Sequence, residues 1–273
     1  MPSDYLPPSA DIIFRRLFGR QKNAHNILLP FLRAAFPLPG DEYAKIIITD
    51  PESKDENIAA KSIRFDVCVQ TASGRLIDIE IQRQSHDAIR ERFLYYAARL
   101  YAGQVKTGDN YRGLRPAVCI VIADFQMVDN ADYHNQYQMR NAKDNTLFSD
   151  YLAVHVLELP KLPREANEDP LWPWLGFLKA HEKEEIDMLA QQYPELKPAV
   201  VELAVLSQDD RTRLIYEAQA KAESEFATRY GSGIRDIARR MLAKGLDTEL
   251  IIETTGITEY EMKRILAERQ GIK

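Results

Sequence analysis

In Asp11-Ile12-Ile13-Phe14-Arg15-Arg16-Leu17-Phe18 the apolar residues recur at helical spacing behind an acid. That predicts a short helix stopped near Gly19, and a second helix is expected from Ala24 to Ala35, ending before Pro37. The period then changes from helical to two. Ile46-Ile47-Ile48 is a β-branched run suited to a strand. Residues 63–70 put Phe65, Val67 and Val69 on one face and Arg64, Asp66 and Cys68 on the other. Ser73-Gly74 supplies a turn and residues 76–82 alternate again, so the two runs form a β-hairpin.

An amphipathic helix follows over roughly 87–105, closed by Gly103 and Gly108. Residues 116–123 are almost continuously apolar and predict a buried central strand, with another strand over 151–159. Four prolines between Pro160 and Pro173 mark a connection. Beyond it the pattern is helical: 175–189, 198–206, and a charged helix over about 209–229 that Gly231-Ser232-Gly233 is expected to break. The order helix, strands, helix, strand, strand, helical tail predicts an α/β domain over 1–165 and a helical C-terminal region over 166–273.

Composition narrows the field by exclusion. With 45% hydrophobic and 28% charged residues, the 273-residue chain has the makeup of a folded globular protein. No apolar run approaches the roughly 20 residues of a membrane helix, so no membrane partner is expected. The first residues lack a secretory pattern, and a cytoplasmic location is expected. Two cysteines, Cys68 and Cys119, each inside an apolar run, exclude a disulfide framework or a cysteine-rich zinc site. There is no G-x-S-x-G elbow and no phosphate-binding P-loop, which argues against a serine hydrolase or a nucleotide-binding enzyme. A net charge of −5 argues against a nucleic-acid partner at first sight. Between Arg83 and Arg115, however, seven basic residues face three acidic ones, which fits a basic stripe or a solvated helix surface.

The chemistry concentrates on the hairpin. In Ile77-Asp78-Ile79-Glu80-Ile81-Gln82 the isoleucines share one face while Asp78, Glu80 and Gln82 share the other, opposite Asp66 on the paired strand. Converging carboxylates repel unless a cation sits among them, and hard oxygen ligands suit Mg²⁺ or Mn²⁺. The alternation alone fits a metal site and a plain polar strand face equally. Asp78 reads as a solvated edge acid paired with an arginine. His86, nearest the acids of five dispersed histidines, shows no ligand spacing.

These residues and their order carry a resemblance. Asp66 before the turn and Glu80-Ile81-Gln82 after it resemble the signature of the PD-(D/E)XK nuclease superfamily, whose core runs helix, three strands, helix, strand. Residues 11–19, 61–66 and 79–82, Tyr95-Tyr96-Ala97-Ala98-Arg99, Tyr111 with Leu114-Arg115-Pro116, and Leu157-Glu158-Leu159-Pro160 are similar to segments of the Rpn-type recombination-promoting nucleases and transposases. The resemblance spans about residues 9–165. It implies a restriction-endonuclease-like α/β core with an all-helical C-terminal extension, and a Mg²⁺-dependent, or Mn²⁺-dependent, DNA endonuclease that promotes recombination.

Carried over by residue, Asp66 and Glu80 would bind the metal, and Gln82 would stand where the superfamily has a lysine. Asp11 would be an additional acid on the first helix, or simply complement the helix dipole. Lys61, Arg92 and Arg99 are candidates for DNA contact. Gln82 can orient water but adds no charge. The other class consistent with the pattern is a catalytically weak or inactive nuclease-fold protein that binds DNA or another protein.

Residues 234–269 resemble a helix-turn-helix, with Asp247 expected to cap one helix and Thr258 with Glu261 to form a capping box on the last. Glu259 and Glu261 in its first turn would face DNA phosphates with like charge. That favours a packing or partner-binding tail, and self-association through the helical C-terminal region is a further expectation.

Overall fold

A computed structural model describes residues 5–49, 65–85, 87–106 and 108–269. Lys61 and His86 lie outside the described residues. The chain divides into two compact units, residues 1–213 and 214–273.

The first unit is built on a six-stranded sheet. Its strands are β1 (Ile47–Thr49), β2 (Val67–Gln70), β3 (Leu76–Gln82), β4 (Ala117–Ala123), β5 (His134–Arg140) and β6 (Leu147–Glu158). The spatial order is β1-β2-β3-β4-β6-β5. The neighbours β3, β4 and β6 run parallel, while β1, β2 and β5 pair antiparallel with theirs. The β2–β3 hairpin turns through Gly74 at φ +89°, a left-handed conformation that glycine adopts without strain. Every residue of β4 is buried, as its continuous apolar run predicts.

Helix α3 (Ile89–Ala102) crosses one face of the sheet and buries Ile89, Phe93 and Ala97 against Cys119 and Val121. In sequence order α1 is Asp11–Phe18, α2 is Leu29–Ala35 and α4 is Trp172–Lys179. An aromatic cluster joins these three: Phe18 lies 5.3 Å from Phe31 and 6.3 Å from Trp174, centroid to centroid. Helices α5 (Lys183–Gln192) and α6 (Lys197–Gln208) complete this unit, and Ser207 Oγ accepts the Leu6 amide at 2.9 Å. The helical stretch after the proline-rich connection therefore contributes to the same core as the N-terminal helices.

The second unit holds most of α7 (Asp210–Ala243), with α8 (Thr248–Thr255) and α9 (Glu259–Arg269). Helix α7 continues through Gly231-Ser232-Gly233, so the expected break is absent; a glycine in a helix costs about 1 kcal/mol, which cooperative neighbours can absorb. Ala238, Leu242, Ile251, Ile257, Met262 and Ile265 form the core of this unit. Asp247 caps α8 by accepting the Glu249 amide, Gly256 at φ +68° makes the turn, and Thr258 and Glu261 form the expected capping box. Among the described residues no helix is long and apolar enough to cross a membrane.

Candidate active site

Asp66 lies just before β2, directly opposite Glu80 of β3 in the register that pairs Val67 with Ile79. The regular backbone ladder gives way here to a reciprocal clasp. The Asp66 amide donates to Glu80 Oε1 at 3.0 Å, and the Ile81 amide donates to Asp66 Oδ2 at 3.0 Å. Each acid thus fixes the backbone that carries the other.

Arg15 of α1 joins them. Its Nε and Nη2 donate to Asp66 Oδ1 at 3.0 and 2.6 Å, and Nη2 also meets Asp11 Oδ1 at 3.0 Å, one helical turn earlier. Asp11 therefore reaches the acid pair through Arg15. The spacing i, i+4 between Asp11 and Arg15 was visible in the sequence, but nothing there placed Arg15 on Asp66.

The polar row of β3 is not a solvent face. Strand β3 lies between β2 and β4 and is covered on its acidic side by α3, so Glu80 is 2% exposed and Asp78 is 0% exposed. The expectation of a solvated Asp78 paired with an arginine is corrected accordingly. Asp78 stands between Cys68 and Cys119 in the strand register, its Oδ2 3.6 Å from Cys119 Sγ and its Oδ1 without a hydrogen-bond partner among the described residues.

Burial sets the electrostatics. It pushes the Asp66, Asp78 and Glu80 carboxyls upward from the ordinary carboxylate range, and Asp66 raises Asp78 further while both aspartates raise Glu80. Arg15 and the Ile81 amide oppose the shift at Asp66. Arg92 of α3 opposes it at Glu80, with Nε on the Tyr96 hydroxyl at 3.0 Å and its guanidinium 5.1 Å from the Tyr96 ring centroid. Tyr96 in turn packs edge-on against Phe65, so it serves the core and the site together.

Gln82 is the next residue after Glu80 on the same strand face. It is half-buried and its amide donates to the Gln84 carbonyl at 3.0 Å. Arg99 sits half-buried near the end of α3, two turns beyond Arg92.

Hard carboxylate oxygens, an orphaned acid oxygen and like charges pressed together are what a hard divalent cation would relieve. Among the described residues no group of three or more His, Cys, Asp and Glu side chains is arranged to hold a metal ion. Mg²⁺ commonly takes one or two protein carboxylates and keeps water or substrate oxygens for the rest, so the Asp66 and Glu80 pair suits it without a third ligand.

The first unit is thus a helix-flanked mixed sheet with two acids facing each other across a hairpin. Residues 8–229 match the family model of the PD-(D/E)XK nuclease family transposase. The chain belongs to that family. Residues 234–266 match the C-terminal HTH domain of the Rpn/YhgA-like nuclease family, which accounts for α8, α9 and the end of α7. No curated protein and no solved structure matches the chain at a significant level.

Proposed function

We propose that the chain is a divalent-metal-dependent DNA endonuclease whose cutting promotes recombination. The observation that carries this reading is the clasp: Asp66 and Glu80 face each other across paired strands, nearly buried and locked by each other's backbone. The family's nuclease and transposase description supports the reaction class.

In this reading Asp66 and Glu80 hold Mg²⁺, or Mn²⁺, which when bound neutralises phosphate charge and acidifies a water. The clasp holds both carboxylates in one backbone-anchored geometry. The Gln82 amide orients the attacking water by hydrogen bonding and contributes no charge. Arg92, braced by Tyr96, and Arg99 contact backbone phosphates from α3. In place of the packing tail that its acidic first turn favoured, the helix-turn-helix unit binds duplex DNA in this reading, which its family match supports: its Arg239, Arg240, Lys244, Lys263 and Arg264 are exposed, and Glu261 is drawn into its cap and a 3.2 Å pair with Arg235.

The test is incubation of supercoiled plasmid with purified protein and Mg²⁺ or Mn²⁺ between about pH 7 and 9, where ordinary carboxylates are ionised. Nicked or linear product that chelator abolishes supports the reading. Intact plasmid under all these conditions contradicts it and favours a DNA-binding protein that retains the nuclease fold.

A further inference from the structure

Arg15 is not among the residues the scheme above uses, yet it makes the tightest contact to the acid pair. Both of its donors Nε and Nη2 converge on Asp66 Oδ1, and the Ile81 amide takes Oδ2. Both oxygens of Asp66 are thus engaged while its side chain is only 6% exposed. A divalent ion that approaches Asp66 at Oδ1 must displace the guanidinium or share that oxygen with it, and one that takes the remaining lone pair of Oδ2 still meets the guanidinium's charge across the same carboxylate. The Arg15 side chain keeps 30% exposure, so a displaced guanidinium can swing toward solvent without unfolding α1.

A permanent positive charge is also what Gln82 cannot supply. Gln82 brings no charge to the reacting phosphate, whereas a planar, permanently charged fork matches two phosphate oxygens. Resting on the metal-nuclease reading, we propose that Arg15 is a resident counter-cation for Asp66, that the divalent ion displaces it, and that the displaced guanidinium then binds the phosphate being cut. Asp11, on the same helix, holds Arg15 close to the site during the exchange. A fixed ion pair that merely pins α1 to the sheet would behave differently toward metal.

The experiment titrates Mn²⁺ calorimetrically, without DNA, into wild type, Arg15→Gln, Arg15→Lys and Glu80→Gln, each checked for folding by thermal melting, and then measures plasmid cleavage at saturating Mn²⁺. Removing a competing charged hydrogen bond predicts Mn²⁺ binding about ten-fold tighter in Arg15→Gln than in wild type. Cleavage by the same variant at saturating metal falls by about a hundred-fold, as expected when a transition-state charge partner is lost. Arg15→Lys, a single-point donor, lies between on both readouts and carries the comparison if the glutamine variant does not fold. Unchanged or weaker Mn²⁺ affinity in both Arg15 variants, with binding by wild type intact and binding by Glu80→Gln lost, overturns the displacement. Wild-type cleavage rates in both variants overturn the phosphate contact. Failure of wild type to bind Mn²⁺ at all removes the metal-nuclease reading itself, and the proposal with it.

Discussion

The amide of Asp66 donates to Oε1 of Glu80 at 3.0 Å, so one acid of the site is a hydrogen-bond anchor for the strand that carries the other. This relation separates structural from chemical roles at position 80. Glu80→Gln keeps an acceptor for the Asp66 amide and removes a buried ionisable group, so it is expected to be at least as stable as wild type in the absence of metal. Glu80→Ala leaves that buried amide unpaired and is expected to lose about 1–3 kcal/mol. Urea denaturation of the two variants measures the difference.

Asp78 has no exposed surface, and among the described residues its Oδ1 has no hydrogen-bond partner. Replacing it by asparagine removes the cost of burying an ionisable carboxyl beside Asp66 and Glu80. Asp78→Asn is expected to stabilise the metal-free protein by about 1–2 kcal/mol at neutral pH. The same denaturation midpoints test this, and a loss of stability would contradict the electrostatic picture of the row.

A second buried pair contributes to the acid limb of stability. His155 on β6 is 2% exposed, with Nδ1 2.9 Å from Nε2 of His134 on β5 and its ring packed edge-on against Phe36. Burial first, and His134 second, depress the His155 pKa from 6.5 to about 4. A depressed histidine is neutral in the fold and takes up a proton on unfolding, so its contribution is complete above about pH 6.5 and is lost as pH falls toward about 4. The loss is on the order of 3 kcal/mol. Melting curves across that window are expected to be flatter for His155→Gln than for wild type.

In the helix-turn-helix unit Thr258 Oγ1 donates to Glu261 Oε2 at 3.0 Å and accepts the Glu261 amide at 3.2 Å. Thr258→Ala removes this capping box and is expected to cost about 1 kcal/mol locally. Faster amide exchange confined to α9, with the sheet domain unaffected, is the readout.

The strands and helices around the hairpin were legible because their periodicity is strong: alternation over 76–82 and the apolar run of β4 correspond to observed strands. Strand β5, His134-Asn135-Gln136-Tyr137-Gln138-Met139-Arg140, was not legible, since an exposed edge strand has no buried face to impose alternation. Alternation also misled at Asp78. It reports which side chains share a face but not whether a helix covers that face, and α3 covers this one. The composition change near residue 165 reflects the proline-rich connection. The compact units divide between Arg213 and Leu214, because Trp174 and Ser207 hold the intervening helices to the N-terminal segment. Arg15 carried a local signal, its spacing from Asp11, but its contact with Asp66 is long-range, and no local pattern encodes it.

In the proposed reading Asp66 and Glu80 together make a metal-dependent DNA-cutting centre. The most direct measurement is plasmid cleavage in Mg²⁺ by wild type, Asp66→Asn and Glu80→Gln at matched folding. The account predicts cleavage by wild type and a loss of at least about a hundred-fold in each variant, the several kcal/mol of charge stabilisation that a metal supplies. Equal cleavage by all three proteins, or none by wild type, would contradict it.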